Sequence, residues 1–107
     1  GIPYWDFDCP DIPETYRDAS AGAIMASALL ELSCYDEIAD AERWKALAIK
    51  QIRSLASPAY RAEAGENAGF ILKHSVGHLG RGNEVDVPLT YADYYFIEAL
   101  LLLEKML

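Results

Sequence analysis

The sequence predicts a mainly α-helical fold with one short β-hairpin. Three observations point there. Residues 18–33, 37–56 and 90–107 carry helical composition or helical spacing. Residues 70–78 and 84–89 are two short runs of alternating character around the glycine-rich stretch LGRGN, the pattern of a hairpin. Hydrophobic residues make up 52% of the 107 positions, more than a small domain with a high surface-to-volume ratio is expected to carry. That excess predicts either association with other copies or membership of something larger.

The elements follow in order. Residues 1–17, GIPYWDFDCPDIPETYR, form a long loop, because Pro3, Pro10 and Pro13 each remove a backbone donor and push the preceding residue toward extended geometry. Asp18 reads as an N-cap, its carboxylate suited to the free amides and the positive dipole end of a first helix. That helix runs through DASAGAIMASALLELS to about Ser33. Its small residues fall on nearly every face, so it is expected to be packed all round, and Gly22 predicts a close neighbour. The second helix, from about Glu37 to Ala56, places Ala41, Trp44, Leu47, Ala48, Ile52 and Leu55 at helical spacing and keeps one wet face. Ser57-Pro58 stops it. Residues 58–69 are turn-rich, with a helical turn near Tyr60. After the hairpin, Thr90 to Leu107 is apolar on most sides, which predicts a helix buried in a larger body.

Charge narrows the function. Seventeen acids against nine Lys+Arg give a net charge of −8, which argues against nucleic acid or an anionic membrane surface as the main partner. No apolar run reaches the roughly 18–20 residues of a membrane helix. The excess lies in residues 1–40, with nine acids and the single base Arg17. No signal-peptide pattern opens the chain, whose first residue is Gly1. Cys9 and Cys34 are too few for a disulfide framework and read as free thiols. There is no P-loop, G-x-G-x-x-G or CxxC motif, and no cofactor is expected.

Two constellations carry candidate chemistry. WDFD, Trp5 to Asp8, sets an indole beside the carboxylates of Asp6 and Asp8. This is a sugar-site composition, with the ring stacking on a sugar face and the carboxylates accepting from hydroxyls. The alternative is that Trp5 closes the end of a helical bundle while the aspartates cap turns. KHSVGHLGR, Lys73 to Arg81, holds two bases and the histidines His74 and His78 with no acid, a composition for contacting an anionic sugar or for a strand with rim charges. A metal would need His74 and His78 on one helix face and a third ligand. The segment reads as a strand and supplies none, so no metal site is expected. Asp86 and Asp93 are ligands or partners of backbone donors, the latter being favoured for Asp93 near a helix start.

These strings resemble a known family. GIPYWDFDCPDIPETYRDASAGAIMASALLELS and SPAYRAEAGENAGFILKHSVGHLGRGNEVDVPLTYADYYFIEALLLL are similar to a segment near the end of glycoside hydrolase family 88, the unsaturated glucuronyl hydrolases. KHS-x-GH, EVDVPL and YADYYF-x-EAL are the motifs that carry the likeness. The related family 105, the unsaturated rhamnogalacturonyl hydrolases, is a weaker match. The resemblance implies the C-terminal part of an (α/α) toroid, with residues 18–33 and 90–107 as inner helices and 37–56 as an outer one. It implies an enzyme that hydrates the C4=C5 double bond of a terminal unsaturated uronate in lyase-generated oligosaccharides. It also implies that the catalytic aspartates lie on earlier helices, so no catalytic residue is expected in residues 1–107 and the chain alone is expected to be inactive. The loop Gly80-Arg81-Gly82-Asn83 stands where the family's substrate-side loop lies. Tyr4, Trp5, Arg81 and Asn83 are therefore the expected substrate contacts, with Asp6, Asp8, His74 and His78 lining the pocket. The expected partners are an unsaturated uronate-terminated oligosaccharide and the missing N-terminal part of the barrel. A competing reading is a free-standing helical module that binds sugar or another protein through loop 1–17.

Overall fold

The computed structural model describes residues 1–35 and 39–107. Its order is α1 (Ala19–Leu32), α2 (Ala41–Ala56), β1 (Ser75–His78), β2 (Asn83–Val87) and α3 (Thr90–Met106). The predicted class is what folds: mostly helix, with one antiparallel two-stranded hairpin.

The middle helix in space is α1, which packs against both α2 and α3. Ala19, Ala23, Ala26 and Leu30 recur at three- and four-residue steps along it and are all fully buried. They meet Ala48, Ile52 and Leu55 of α2 and Ala92, Phe96 and Ala99 of α3. Methyl-sized side chains let the helix axes approach closely, so the contact is made by backbone and Cβ atoms rather than by large side chains. Gly22 marks the tightest point. A Cβ there would stand 3.0 Å from Gln51 Nε2 and 3.2 Å from Ile2 Cδ1, which is the close neighbour that a glycine inside a helix predicts. A hydrogen bond from the Ser27 hydroxyl to the Glu98 carboxylate adds a polar link between α1 and α3.

The expected burial of α1 and α3 on every side is not met within this chain. Ile24, Met25 and Leu32 of α1 are exposed, as are Tyr91, Tyr94, Ile97, Leu100 and Leu101 of α3. Tyr94, Ile97 and Leu101 form one stripe at helical spacing, 61%, 44% and 54% exposed. α1 is covered by α2 and α3 on part of its surface and α3 mainly by α1, and three helices leave the remaining flanks open.

Boundaries shift where backbone donors find other partners. The second helix begins at Ala41 rather than near Glu37; residues 36–38 lie outside the described residues. At its end Ser57 turns extended, as a residue before proline does. The expected first strand shrinks from 70–78 to Ser75–His78. Ahead of it the chain pairs with another partner: Ala62 N–H donates to Ile71 O at 2.8 Å and Lys73 N–H to Tyr60 O at 2.7 Å. The amides of Ile71 and Leu72 donate to the two oxygens of Asp93, at 2.9 and 3.0 Å. With those groups occupied, residues 71–73 are committed away from β2. The hairpin itself pairs Ser75 with Val87, Val76 with Val85 and His78 with Asn83, with a bulge at Ser75/Val76. Leu79–Arg81 makes a 3₁₀ turn between the strands, and Gly82 closes it at φ 71°.

Candidate functional site

Loop 1–17, the start of α1 and the hairpin meet at one end of the helices, and Asp18 is the knot. Its Oδ1 accepts from Ser20 N–H at 3.0 Å, from the Ser20 hydroxyl at 2.7 Å and from Val76 N–H at 3.0 Å. The predicted N-cap is therefore also the anchor of β1. Ala19 N–H donates to His74 O at 3.0 Å, and Asp18 N–H to Pro3 O at 2.9 Å. Three segments far apart in sequence are fixed around the first turn of one helix.

The loop closes on itself above this knot. Tyr4 and Arg17 form an antiparallel bridge, and Trp5 N–H donates to Tyr16 O at 3.1 Å. The Arg17 guanidinium lies 4.2 Å over the Tyr4 ring, donating to Tyr4 Oη at 3.1 Å and to Ile2 O at 2.5 Å. One face of Tyr4 is thus covered by a cation. The Trp5 indole N–H donates to Thr15 Oγ1 at 3.0 Å. Trp5, Cys9, Asp11, Glu14 and Tyr16 line a cleft of about 520 Å³ whose far wall is Leu79, from the turn between the strands. The acidic loop and the hairpin turn therefore share one concavity, with aromatic and carboxylate side chains among its lining. Asp6 Oδ1 accepts Asp8 N–H at 2.9 Å, the turn-capping role set against a sugar role for WDFD. Asp8 is exposed.

The KHSVGHLGR stretch divides. His74 Nδ1 is 2.5 Å from Asp86 Oδ1, and His78 Nε2 is 3.9 Å from Glu84 Oε2. Both histidines face carboxylates of β2, and among the described residues no group of three His, Cys, Asp or Glu is placed to hold a metal ion. Glu84 also covers Gly77, whose absent Cβ would fall 2.9 Å from the Glu84 Cβ. Arg81 and Asn83 are exposed at the turn. What joins that turn to Trp5 is Leu79.

A second cleft of about 340 Å³ opens behind the hairpin base, lined by Thr15, Arg17, Tyr60, His74 and Asp86 among others. Tyr60 meets the His74 ring edge-on at 6.0 Å. Burial pushes the Tyr60 phenol above its ordinary pKa, with the Arg17 charge pulling it the other way. Arg17 and Tyr60 are absent from the sequence-predicted site. Arg17 carried a signal, as the lone base among nine acids beside the N-cap. Tyr60 carried none, because it arrives from a turn 14 residues before His74.

With this geometry in hand, likeness to known proteins is informative. No protein-family model matches the chain. An unsaturated glucuronyl hydrolase of Formosa agariphila is 44% identical over 100 residues, which is 94% of this chain and 24% of that protein. The crystal structure of an unsaturated glucuronyl hydrolase specific for heparin superposes with a TM-score of 0.93 at 47% identity, over 98% of this chain and 28% of that one. By sequence and by fold, the chain matches the unsaturated glucuronyl hydrolases. It spans about a quarter of the length of the curated relatives it matches. A mutant of an unsaturated glucuronyl hydrolase from Streptococcus agalactiae, complexed with dGlcA-GalNAc6S, superposes with a TM-score of 0.86 at 29% identity, over 99% of this chain and 28% of that one. The likeness to the glucuronyl hydrolases thus extends to a structure that holds an unsaturated sugar.

Proposed function

We propose that residues 1–107 supply the C-terminal part of a ring-shaped unsaturated glucuronyl hydrolase. The observation that carries this reading is a match along nearly the whole chain in both sequence and fold. The substrate is an oligosaccharide that ends in the unsaturated uronate left by a polysaccharide lyase. The reaction protonates its C4=C5 double bond, adds water at C5, and opens the product with loss of the glycosidic bond. Hydration of a vinyl ether needs a protonated carboxyl held as general acid. The firmly held carboxylates of this chain are spent otherwise: Asp18 and Asp93 are committed to backbone amides. The acid comes from helices that the chain does not contain.

What this segment contributes is the rim. Tyr4 and Trp5 on the loop, with Arg81 and Asn83 at the hairpin turn, contact the sugar beyond the reacting uronate. Asp6, Asp8, His74 and His78 stand around them. The cleft shared by Trp5 and Leu79 supports this, since it brings loop and turn to one concavity. The uncovered stripes of α1 and α3 pack on the remaining helices of the ring. The chemistry calls for no cofactor, nucleic acid or membrane.

The test follows the absorbance of the double bond in an unsaturated disaccharide. The whole protein is expected to bleach it and the isolated chain to leave it intact. In the whole protein, Arg81→Ala is expected to raise KM about five- to tenfold with kcat little changed, the pattern of lost binding. Turnover by the 107-residue chain alone sinks the proposal.

A further inference from the structure

We infer that His74 and Asp86 are positioning residues, a clip at the base of the hairpin that sets where its turn stands against the sugar. The inference rests on the reading of that turn as a substrate contact.

An isolated two-stranded hairpin is marginal by itself, so its aim depends on what holds its base. β1 is held directly: Val76 N–H donates to Asp18, and the His74 carbonyl accepts from Ala19 N–H. β2 is reached from that anchor through the His74 ring, whose Nδ1 is 2.5 Å from Asp86 Oδ1. The same ring rests edge-on against Tyr60 from the turn after α2. One residue thus joins the first turn of α1, the turn after α2 and the second strand.

The backbone shows that this pairing is imposed on the chain. His74 has φ 67° and Asp86 φ 55°. Left-handed backbone is disfavoured for residues that carry a Cβ, and it persists where surrounding contacts over-determine it. Asp86 lies between Val85 and Val87, whose partners Val76 and Ser75 are consecutive, so it is the extra residue of the bulge and has no ladder partner of its own. Its side chain, and not the ladder, fixes the strand at this point. The charged groups around the pair come from separate elements: Arg17 of the loop lines the same cleft, and His78 and Glu84 form a longer pair nearer the turn. Cutting the clip leaves β2 attached by its few ladder bonds. The turn carrying Leu79, Arg81 and Asn83 then loses its fixed distance from Trp5. Because the general acid is not on this hairpin, the loss falls on binding and not on the chemical step.

The experiment is steady-state kinetics of the whole protein on an unsaturated disaccharide. Asp86→Ala is expected to raise KM about five- to tenfold with kcat within about twofold. Asp86→Asn keeps an acceptor oxygen at the same place and tolerates the left-handed backbone, so KM is expected to return to within about twofold of the parent. The double variant His74→Ala/Asp86→Ala is expected to be no worse than Asp86→Ala, as for two residues that act through one contact. The inference is overturned if Asp86→Ala leaves KM unchanged while Arg81→Ala raises it. If both leave KM unchanged, the substrate reading of the turn fails and takes the clip with it. A fall in kcat together with a lowered unfolding midpoint, in Asp86→Asn as well as Asp86→Ala, makes the pair merely structural and also overturns the inference.

Discussion

At the end where loop 1–17 meets the hairpin, backbone donors find carboxylates: Asp18 takes Ser20 and Val76, and Asp93 takes Ile71 and Leu72. Along the flanks of α1 and α3 the opposite holds. Tyr94, Ile97 and Leu101 of α3 stand in solvent, more than two-fifths exposed each, and Ile24 and Leu32 of α1 are exposed as well. The difference shows which parts of the segment are self-sufficient. Hydrogen bonds close the loop end because their partners lie within the segment. Apolar faces wait for neighbours, since burial needs surface from elsewhere. The loop end is thus held by partners within the segment, and the flanks of α1 and α3 are left uncovered by it.

Breaking the assembly half of that contrast gives the largest expected effect. In the whole protein, Tyr94→Ser, Ile97→Ser and Leu101→Ser together remove three side chains from a buried seam. At about 1.5–3 kcal/mol for each large apolar side chain, the sum is comparable with the whole stability of a marginal domain. If the helix flank faced water in the whole protein, each change would fall within about 0.5 kcal/mol of neutral. Urea unfolding of the triple variant separates the two, and a parent-like midpoint would show that the seam is exposed.

The loop end is broken by removing its knot. Asp18→Ala deletes a helix cap and the tie to β1 in one step, and is expected to cost about 2–4 kcal/mol. Amide exchange at Ser20 and Val76 should accelerate together, because one oxygen serves both. Acceleration at Ser20 alone would mean that β1 is held by something else. Asp93→Ala is expected to cost less, about 1–3 kcal/mol, since it releases two amides and no cap. Its signature is faster exchange at Ile71 and Leu72 with α3 itself protected.

How much of this was legible follows from how far each signal travels along the chain. The Asp18 cap, the stop at Ser57-Pro58 and the close approach at Gly22 are written within a few residues of where they act, and they read correctly. The over-apolar composition gave the uncovered flanks, because three helices cannot bury that much surface among themselves. The strand from 70 to 74 was misread because its donors go to Asp93, 21 and 22 residues away. His74 was singled out in the sequence, but its pairing with Asp86 was not legible there. The strand reading of the segment did not say which residues the histidines meet; the structure sets each against a different acid of β2. Trp5 stood out by composition, while its sharing a cleft with Leu79 depends on a fold-level meeting of loop and turn.

The smallest expected effect tests the cleft behind the hairpin. Burial raises the Tyr60 phenol above its ordinary pKa, against a smaller lowering by Arg17. The folded state therefore holds that proton more tightly than the unfolded chain, whose tyrosine titrates near about 10. Below that pH both states keep the proton and stability is flat in this group. Above it the unfolded chain releases its proton first, so stability falls with rising pH until the folded phenol titrates as well. Tyr60→Phe removes the proton and with it this component of the slope. Urea midpoints of the parent and of Tyr60→Phe, measured between about pH 9 and 11, should draw together or cross as pH rises. Parallel lines would mean that the cleft lets water reach the phenol freely, and that Tyr60 does not seal the inner side of the His74–Asp86 pair.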